Sequence, residues 1–445
     1  MSGGLVFARP FLGQMRPQLL ADPRETCAVF FTHQSRAGRW VVRDGEVAPE
    51  SAYQRRSEIA AELSPAYLVD VTSRARRGGM GLVLAHTHPL CSDRPAFSDV
   101  DDAGEAPVSH FLDALSPDAQ HLALVVSPGG VRARQLGAGR EVPVWAIGSD
   151  IERLSSEAGA LPPLAEVYDR QVRAFGEPGQ RILQGLRVAI VGLGGTGSVV
   201  AQELALLGVR EFILIDPDTL ETTNRNRVFG AEASDVGQSK VRLAMRSIQR
   251  ANADAAVECV QADVLTVEAG ARLVQADAVF LCTDSHASRA LVAQVAYQHL
   301  IPAFDMGVSI GSTPDGGIRD ITGRVQMLAP GLPCLLCTGA LDADAIRREL
   351  MSDAQREADP YFRGSGAPQP AVASLNATVS SLAVSMFLAS ATGVPMKARY
   401  QWYDGVCGAV RSLGARAAEN CMVCSPSGFQ GRGASAGLPF NACAA

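Results

Sequence analysis

The feature that most constrains the fold of this chain is a buried-type strand that runs straight into a glycine-rich turn. The strand is Arg187 to Gly192, and the turn has the sequence G-L-G-G-T-G over residues 192–197. Glycine allows a tight turn and a close approach of backbone to phosphate, and a helix that begins there offers its positive N-terminus to that phosphate. The next strand ends in Asp216, whose carboxylate can accept hydrogen bonds from ribose hydroxyls. The pattern predicts a nucleotide site, and taken alone it fits NAD as well as ATP.

Strands and helices alternate around this turn. Strands are predicted at Glu211–Asp216, Val257–Gln261 and Ala278–Cys282, and helices at Ser198–Leu207, Lys240–Ala251 and Ala287–Gln298. Such alternation predicts a parallel, doubly wound α/β sheet.

The first half of the chain has its own pattern of short strands and helices. Strands are predicted at Cys27–Thr32, Trp40–Val42, Gly81–Ala85 and Leu122–Val126, and helices at Ser57–Leu63 and Val108–Leu115. Residues 150–165 contain a glycine and two prolines and indicate a connector. We therefore predict one domain over 1–148, a linker over 149–166, a second domain over 167–428 and a flexible tail over 429–445.

Composition excludes several classes of function. The net charge of −6 argues against general nucleic-acid binding. The sequence has no signal peptide and no uninterrupted run of about 18 apolar residues, so we expect no membrane span and a cytoplasmic location. Ten cysteines in 445 residues are too few for a disulfide scaffold.

Cationic residues after the second strand distinguish the two nucleotides. The chain continues D-P-D-T-L-E-T-T-N-R-N-R over residues 216–227 and G-Q-S-K over 237–240, with Y-D-R-Q upstream at 168–171. Hydride transfer has no need for this set of cations. Displacement of pyrophosphate from ATP does, because negative charge builds on the transferring phosphate.

At these residues the chain resembles the superfamily of ubiquitin-activating enzymes, which includes the MoeB and ThiF adenylyltransferases. The family motifs are a strand, G-x-G-G-x-G, D-x-D-x-x-x-x-x-N-x-x-R, G-x-x-K and C-T-D, the last present as Cys282-Thr283-Asp284. The resemblance covers roughly residues 165 to 425 and implies a Rossmann-like adenylation domain that uses ATP and Mg²⁺. It also implies a role for each matching position. These are the nucleotide cradle (Gly192, Gly194, Gly195 and Gly197), the ribose contact (Asp216), the phosphate contacts (Asn224, Arg227 and Lys240), the Mg²⁺ ligand (Asp284) and an arginine that reaches across a homodimer interface (Arg170).

Two C-x-x-C pairs lie in the same half of the chain, at Cys334/Cys337 and at Cys421/Cys424. Four thiolates suit tetrahedral Zn²⁺, and two such pairs are the usual way to supply them. Because no coordination position stays open, the predicted site is structural. Four unrelated buried thiols are the alternative, and a redox pair is disfavoured because neither pair begins a helix in a thioredoxin-like context.

Family members that pass their cargo onward often carry a cysteine between the first C-x-x-C pair and the last helix. The stretch Thr338 to Ala383 contains no cysteine. Three interpretations stay open. The chain adenylates only, which we favour; Ser365 takes the cargo as an oxyester, for which we identify no activating base; or a cysteine from elsewhere, Cys407 or Cys443, reaches the site.

A second motif follows the predicted strand Gly81–Ala85. It is His86-Thr87-His88-Pro89, and Ser98-Asp99-Val100-Asp101 comes shortly after. Histidines at i and i+2 on an extended segment point the same way, so both can bind one metal. A carboxylate then completes a His₂-Asp site with one open position, which is the mark of catalytic zinc.

This arrangement resembles the JAB/JAMM metallopeptidases, whose pattern is a glutamate, then H-x-H-P, then S-x-x-D, and it covers about residues 5 to 145. The resemblance implies Zn²⁺ ligands (His86, His88 and Asp101), a general base (Glu25) and an oxyanion-stabilising serine (Ser98).

The loop before the serine departs from the family pattern. Eight residues separate Pro89 from Ser98, more than is usual. The usual spacing would make Asp99 the ligand but would put Ala96 where the serine belongs, so we prefer Ser98 and Asp101. A decayed, metal-free domain kept for partner binding is the alternative.

The two resemblances together predict an α/β protein with a JAB/MPN-like domain followed by a ThiF adenylation domain that carries a Cys₄ zinc site. The predicted function is ATP-dependent adenylation of the C-terminal glycine of a ubiquitin-like protein, joined to a zinc isopeptidase that acts on the same modifier. A ubiquitin-conjugating-type enzyme is a further expected partner, as in bacterial ubiquitin-like conjugation operons, some of which are linked to antiphage defence. The alternatives are activation of a sulfur carrier, an inactive adaptor that binds ubiquitin-like domains, and lastly an NAD oxidoreductase.

Overall fold

The structure, a computed structural model, describes residues 1, 3–35, 38–155, 163–313, 315, 317–352, 355 and 370–439. These residues fall into two compact units. The first contains the N-terminal block together with Gln298–Leu300 and Phe429–Gly437, and the second contains most of the remaining chain.

The first unit is built on a large mixed sheet. Its strands are β1 (Leu5–Ala8), β2 (Cys27–Gln34), β3 (Trp40–Val47), β4 (Tyr53–Arg56), β5 (Ala61–Leu63), β6 (Gly81–Thr87), β7 (Leu122–Ser127), β8 (Gly130–Gln135), β9 (Glu141–Val142), β10 (Val144–Ile147) and β11 (Ile151–Arg153). Nine of them form one sheet in the order β11-β10-β1-β3-β2-β6-β7-β8-β9, and β4 and β5 form a separate hairpin. The helices are α1 (Arg9–Leu19), α2 (Pro65–Arg77) and α3 (Asp99–Leu115).

Strand β2 explains why this unit has three layers. Its residues are buried without alternation over most of its length, which is expected of a strand covered on both faces. Phe30 packs with Leu19 of α1 on one face, whereas Val29 packs with Val71 of α2 and Leu112 of α3 on the other. Strand β2 pairs with β6, so this core fixes the strand that carries the two motif histidines.

One helix predicted in this unit is wrong. Residues Ser57–Leu63 form the turn and second strand of the β4–β5 hairpin instead. The Ser57 amide donates to the Ala60 carbonyl at 2.8 Å and closes a tight turn. Strand pairing, and the packing of Leu63 on a small apolar cluster, outweigh the helical spacing of the segment.

The ends of the first unit also differ from the sequence-based boundaries. Strand β11 pairs with β10, so regular structure continues past residue 148 into the predicted linker. Residues Phe429–Gly437, expected in a flexible tail, belong to this unit. Gly433 is buried in a short 3₁₀ turn, and Arg43 donates to the Gln430 carbonyl at 2.5 Å.

The second unit contains an eight-stranded sheet with helices. The strands are β12 (Arg187–Val191), β13 (Glu211–Ile215), β14 (Ala256–Val260), β15 (Ala278–Leu281), β16 (Ala303–Ser312), β17 (Ile318–Leu328), β18 (Tyr400–Asp404) and β19 (Ala409–Ser412), in the order β14-β13-β12-β15-β16-β17-β18-β19. The helices are α4 (Asp169–Gly185), α5 (Gly195–Leu206), α6 (Lys240–Ala251), α7 (Val267–Leu273), α8 (His286–Gln298), α9 (Ala343–Leu350) and α10 (Ala373–Thr392).

Strands β12 to β16 are parallel, as the alternating pattern predicts. Strands β17 to β19 then extend the sheet in antiparallel fashion, a feature that the sequence patterning did not indicate. The order reverses beside β12, since β13 lies on one side of it and β15 on the other. A crevice for ligands is expected at such a point, outside the carboxyl ends of the strands.

Helix α10 is long and apolar enough to cross a membrane by length and composition, but 56% of its most apolar window is buried within the chain. Val379, Ala383, Met386 and Phe387 are each fully buried. The helix packs against α4, α5 and β16. Its apolar composition therefore fits its place in the core of this unit.

Candidate nucleotide and metal sites

A cleft of about 690 Å³ lies at the carboxyl ends of β12, β13 and β15. It brings together eight of the predicted adenylation residues, namely Gly192, Gly194, Gly195, Asp216, Asn224, Arg227, Lys240 and Asp284. Gly197 and Arg170 are not in its lining. The cleft is therefore where the sequence motifs of the second unit meet.

Steric limits explain the glycines of the turn. Gly192 has φ of +86°, and a Cβ added there would lie 2.9 Å from the Cys282 carbonyl oxygen. A Cβ at Gly197 would lie 1.9 Å from the Gly192 carbonyl oxygen, and one at Gly195 would lie 2.0 Å from Nδ2 of Asn376. Gly197 thus permits helix α5 to begin against the end of β12, which explains its role although it does not line the cleft.

Asp216 is buried and held by the turn that it faces. Its Oδ2 accepts a hydrogen bond from the Leu193 amide at 2.5 Å, and its Oδ1 accepts one from the Asp218 amide at 2.8 Å. Burial raises the pKa of Asp216, and the hydrogen bond from Leu193 and the charge of Lys240 oppose that rise. This geometry leaves the strand-end carboxylate beside the glycine turn, where a ribose contact requires it.

The cationic residues of the cleft are anchored by their own loops. Lys240 begins α6 and places Nζ 2.6 Å from Oδ2 of Asp218. Arg227 donates to the Thr223 carbonyl at 2.7 Å, and Oδ1 of Asn224 accepts from the Glu221 amide at 2.8 Å. The loop after β13 and the start of α6 therefore present two cations to one cavity. Among the described residues, Arg227 forms no ion pair with an acid.

Arg170 is separate from this site. It lies in the first turn of α4, and its side chain is exposed. The role assigned to it, in the active site of a second copy of the chain, stays a prediction.

Sequence reasoning missed several polar residues of the cleft, among them Asn376 and Arg289. Asn376 of α10 is buried against Gly195, and Arg289 of α8 donates to the Asp284 carbonyl at 3.2 Å and to buried Asp305 at 3.1 Å. Arg289 could have been identified from the sequence, because it follows Asp284 by five residues. Asn376 could not, because the packing of helices distant in sequence brings it to the cleft.

The four cysteines of the two C-x-x-C pairs come together as predicted. Sγ of Cys334 lies 3.7 Å from that of Cys337 and 3.6 Å from that of Cys421, and Cys337 and Cys424 are also 3.6 Å apart. Tetrahedral Zn²⁺ with Zn–S bonds of about 2.3 Å needs sulfur separations of about 3.8 Å. The donor set and its spacing therefore fit a structural zinc ion.

The histidine motif of the first unit also forms a cluster. His86 Nε2 lies 3.1 Å from His88 Nε2 and 3.0 Å from Oδ1 of Asp101. Between the two histidines, Thr87 points to the opposite face of β6 and accepts from the Thr26 amide at 2.8 Å. Two imidazole nitrogens and a carboxylate facing one point suit a divalent metal such as Zn²⁺.

The structure also discriminates between the two aspartates considered as ligand. Ser98 is the N-cap of α3, and its hydroxyl donates to Oδ2 of Asp101 at 2.8 Å and accepts from the Asp101 amide. This reciprocal cap turns Asp101 toward His86 and His88, whereas Asp99 is exposed. Burial alone would raise the pKa of Asp101, but hydrogen bonds to both histidines outweigh it and hold that pKa well below its ordinary value.

Glu25 lies just before β2 at the edge of this cluster. Its Oε1 is 3.9 Å from Nε2 of His88, and the residue is only 7% exposed. Burial raises the pKa of Glu25, and the two histidines oppose that rise. A desolvated carboxylate of this kind is suited to take up a proton.

Of the three proposed acyl acceptors, the described residues include Cys407, which does not line the cleft. Cys407 is exposed in the turn between β18 and β19. Ser365 and Cys443 lie outside the described residues.

Comparison with known families agrees with this division of the chain. The model of the ThiF family matches residues 168–423, more than half of the chain. A model described as prokaryotic homologs of the JAB domain matches residues 9–135.

Individual relatives are similar to about half of the chain. Ubiquitin-like modifier-activating enzyme 5 of Oryza sativa subsp. japonica is 28% identical over 259 residues, which cover 54% of this chain and 59% of the relative. The enzyme of the same name from Arabidopsis thaliana is 27% identical over 224 residues, covering 45% and 50%. The chain thus spans less than two thirds of the length of these relatives. Among solved structures, a crystal structure of E. coli MccB with MccA-N7isoASN has a TM-score of 0.48 and 18% identity and covers 59% of this chain and 76% of that one.

Proposed function

The chain belongs to the ThiF family, and on that premise we propose that it adenylates the C-terminal carboxylate of a ubiquitin-like protein with ATP. The observation that carries the proposal is the cleft of the second unit. It joins a glycine turn, a strand-end acid, the cations Arg227 and Lys240, and the exposed carboxylate of Asp284.

In the proposed reaction a carboxylate oxygen of the terminal glycine attacks the α-phosphorus of ATP. The new bond is between that oxygen and phosphorus, and the bond that breaks joins the α-phosphorus to the bridging oxygen of pyrophosphate. Arg227 and Lys240 stabilise the charge that develops on the phosphates. Asp284 would hold Mg²⁺, and the bound ion would neutralise phosphate charge.

The ion pair of Lys240 with Asp218 affects how this lysine can bind phosphate. Lys240 is paired with Asp218 at 2.6 Å, so a bound phosphate must share the ammonium with this acid. An ammonium group has three donors, and it can therefore hold Asp218 and a phosphate oxygen together.

The test is ATP–pyrophosphate exchange with purified protein, Mg²⁺ and a ubiquitin-like protein that ends in glycine. We expect exchange that depends on that protein and is lost when its terminal glycine is removed, because the carboxylate is then displaced from the phosphorus. A version with an internal substitution far from the tail serves as the matched control. Absence of exchange with every candidate, or exchange without any of them, would contradict the proposal.

The histidine cluster supports a second candidate activity, hydrolysis of a bond at the C-terminus of the same modifier. A Zn²⁺ ion held by His86, His88 and Asp101 would supply an activated water and polarise the carbonyl. Glu25 would take the proton of that water and deliver it to the leaving amine nitrogen as the carbon–nitrogen bond breaks. The supporting observation is that buried Glu25 lies 3.9 Å from His88, one of three metal-type donors that come together.

We expect Asp101→Asn to lower cleavage of a ubiquitin-like fusion or conjugate by about 100-fold or more, since it removes a charged ligand and with it the metal. Asp99→Asn is the matched control, because Asp99 is in the same helical turn and exposed. Cleavage and bound zinc should be measured on the same samples. Cleavage that survives Asp101→Asn, or is lost equally in Asp99→Asn, would argue against this site.

A further inference from the structure

Helix α9 carries a glutamate that reaches the start of α8. Glu349 Oε2 accepts from the Ser285 hydroxyl at 2.7 Å and from the Ala287 amide at 2.8 Å, and its Oε1 accepts from the His286 amide at 3.2 Å. One carboxylate distant in sequence thus binds three consecutive residues. They are the residues that follow Asp284.

These contacts form a helix cap made from outside the helix. The first amides of any helix have no partner within it, and a negative charge is favourable beside them. Ser285 contributes the local part of the cap, since its hydroxyl oxygen accepts from the Ser288 amide at 3.1 Å. Glu349 supplies the charge and fixes the serine hydroxyl.

The cap matters for Asp284 because the aspartate side chain has little else to orient it. Among the described residues, no hydrogen bond reaches its carboxylate, which is exposed in the cleft. Its backbone is held on the other side by Arg289, which donates to the Asp284 carbonyl and is anchored on buried Asp305. Two polar residues therefore hold the chain at Asp284. Arg289 binds its carbonyl, and Glu349 binds the residues that follow it.

Helix α9 is itself well fixed. Asp342 caps it, with Oδ1 accepting from the Asp344 and Ala345 amides at 2.9 and 3.0 Å. The Asp342 amide also donates to Nδ1 of His286 at 3.1 Å, a second link to α8. Ile346 packs against the core cluster that contains the buried cysteines. These contacts anchor the helix that carries the Glu349 carboxylate, and an oriented carboxylate needs such support.

We propose that Glu349 is a positioning residue that holds Asp284 in its working orientation for nucleotide and Mg²⁺. Glu349 does not line the cleft and acts through the Ser285 hydroxyl and the amides of His286 and Ala287. The inference deepens the proposed adenylation. Its test by pyrophosphate exchange rests on that proposed function, whereas its test by nucleotide binding does not.

The test compares Glu349→Ala and Glu349→Gln with Asp344→Asn, an exposed acid of the same helix. In ATP–pyrophosphate exchange we expect Glu349→Ala to lower kcat about 10- to 100-fold, because a small displacement of a reacting group has an effect of that order. The affinity for ATP without Mg²⁺ should stay within about threefold, since the nucleotide cradle is untouched, and the Mg²⁺ concentration for half-maximal rate should rise. Glu349→Gln retains one acceptor oxygen, so its kcat should lie between those of the wild-type protein and Glu349→Ala.

A measurement without turnover separates this inference from the proposed function. Affinity for a fluorescent ATP analogue should rise with Mg²⁺ in the wild-type protein and in Asp344→Asn, and lose most of that dependence in Glu349→Ala, as in Asp284→Asn. Amide hydrogen exchange at His286 and Ala287 should accelerate in Glu349→Ala. If amide exchange at His286 and Ala287 accelerates while the Mg²⁺ dependence of nucleotide affinity is unchanged, Glu349 only caps a helix and the inference is wrong. If the wild-type protein shows no pyrophosphate exchange, the proposed function fails, and the binding result still decides the role of Glu349.

Discussion

Asp284→Asn is expected to lower ATP–pyrophosphate exchange by about 100- to 1,000-fold, the range found when one preorganised electrostatic contact to a transition state is removed. The affinity for ATP without Mg²⁺ should change little, since the glycine turn and Asp216 are intact. The substitution keeps the shape of the side chain and removes its charge. The expected signature is therefore a fall in kcat together with loss of Mg²⁺ dependence.

The acids of the cleft single out Asp284 for this role. Five acids line it among the described residues: Asp216, Asp218, Glu221, Asp263 and Asp284. The first four are committed to backbone amides, to Lys240 or to a threonine hydroxyl. Asp284 alone in this set has a carboxylate with no hydrogen bond among the described residues, so a metal can bind it without breaking an existing contact.

Glu268→Gln is the matched control for this experiment, because Glu268 is an acid of the same unit that lies on α7 outside the cleft lining. Its exchange rate should equal that of the wild-type protein. An Asp284→Asn protein that exchanges within about threefold of the wild-type rate would remove Asp284 from the mechanism.

Patterns among residues close in sequence predicted much of the nucleotide cleft and of the histidine cluster. The helix at Lys240–Ala251 has the bounds expected from its spacing, and the glycine turn follows β12 as the motif requires. The sequence favours Ser98 and Asp101 over Asp99 because that choice keeps the S-x-x-D pattern intact. In the structure these two residues form a reciprocal cap at the start of α3. These features depend on residues that are close in sequence.

Features that depend on packing between distant segments could not be predicted from the sequence. Asn376 meets Gly195 because α10 packs against α5. Glu349 meets Ser285 because α9 lies beside the start of α8. Ser57–Leu63 was misassigned for the same reason, since strand pairing and not local propensity decides its structure. The chain-end segment Phe429–Gly437 is polar and glycine-rich, yet it packs on the first unit.

Cys421→Ser is expected to remove one equivalent of bound zinc and to destabilise the second unit by several kcal/mol, because a structural metal contributes directly to folding. For a unit of this size that loss corresponds to a fall in Tm of about 10 °C or more. Cys421 and Cys334 are both buried in one core cluster, and their Sγ atoms are 3.6 Å apart. The cluster therefore joins the segment after β17 to the segment after β19.

The measurement is zinc content together with thermal unfolding of the full chain. Cys407→Ser is the matched control, since Cys407 is exposed in the β18–β19 turn, and it should keep both zinc and Tm. Because α9 begins shortly after Cys337 and holds Glu349, loss of zinc should also accelerate amide exchange at His286 and Ala287. A Cys421→Ser protein with unchanged zinc content and Tm would show that the four thiols do not form a structural metal site.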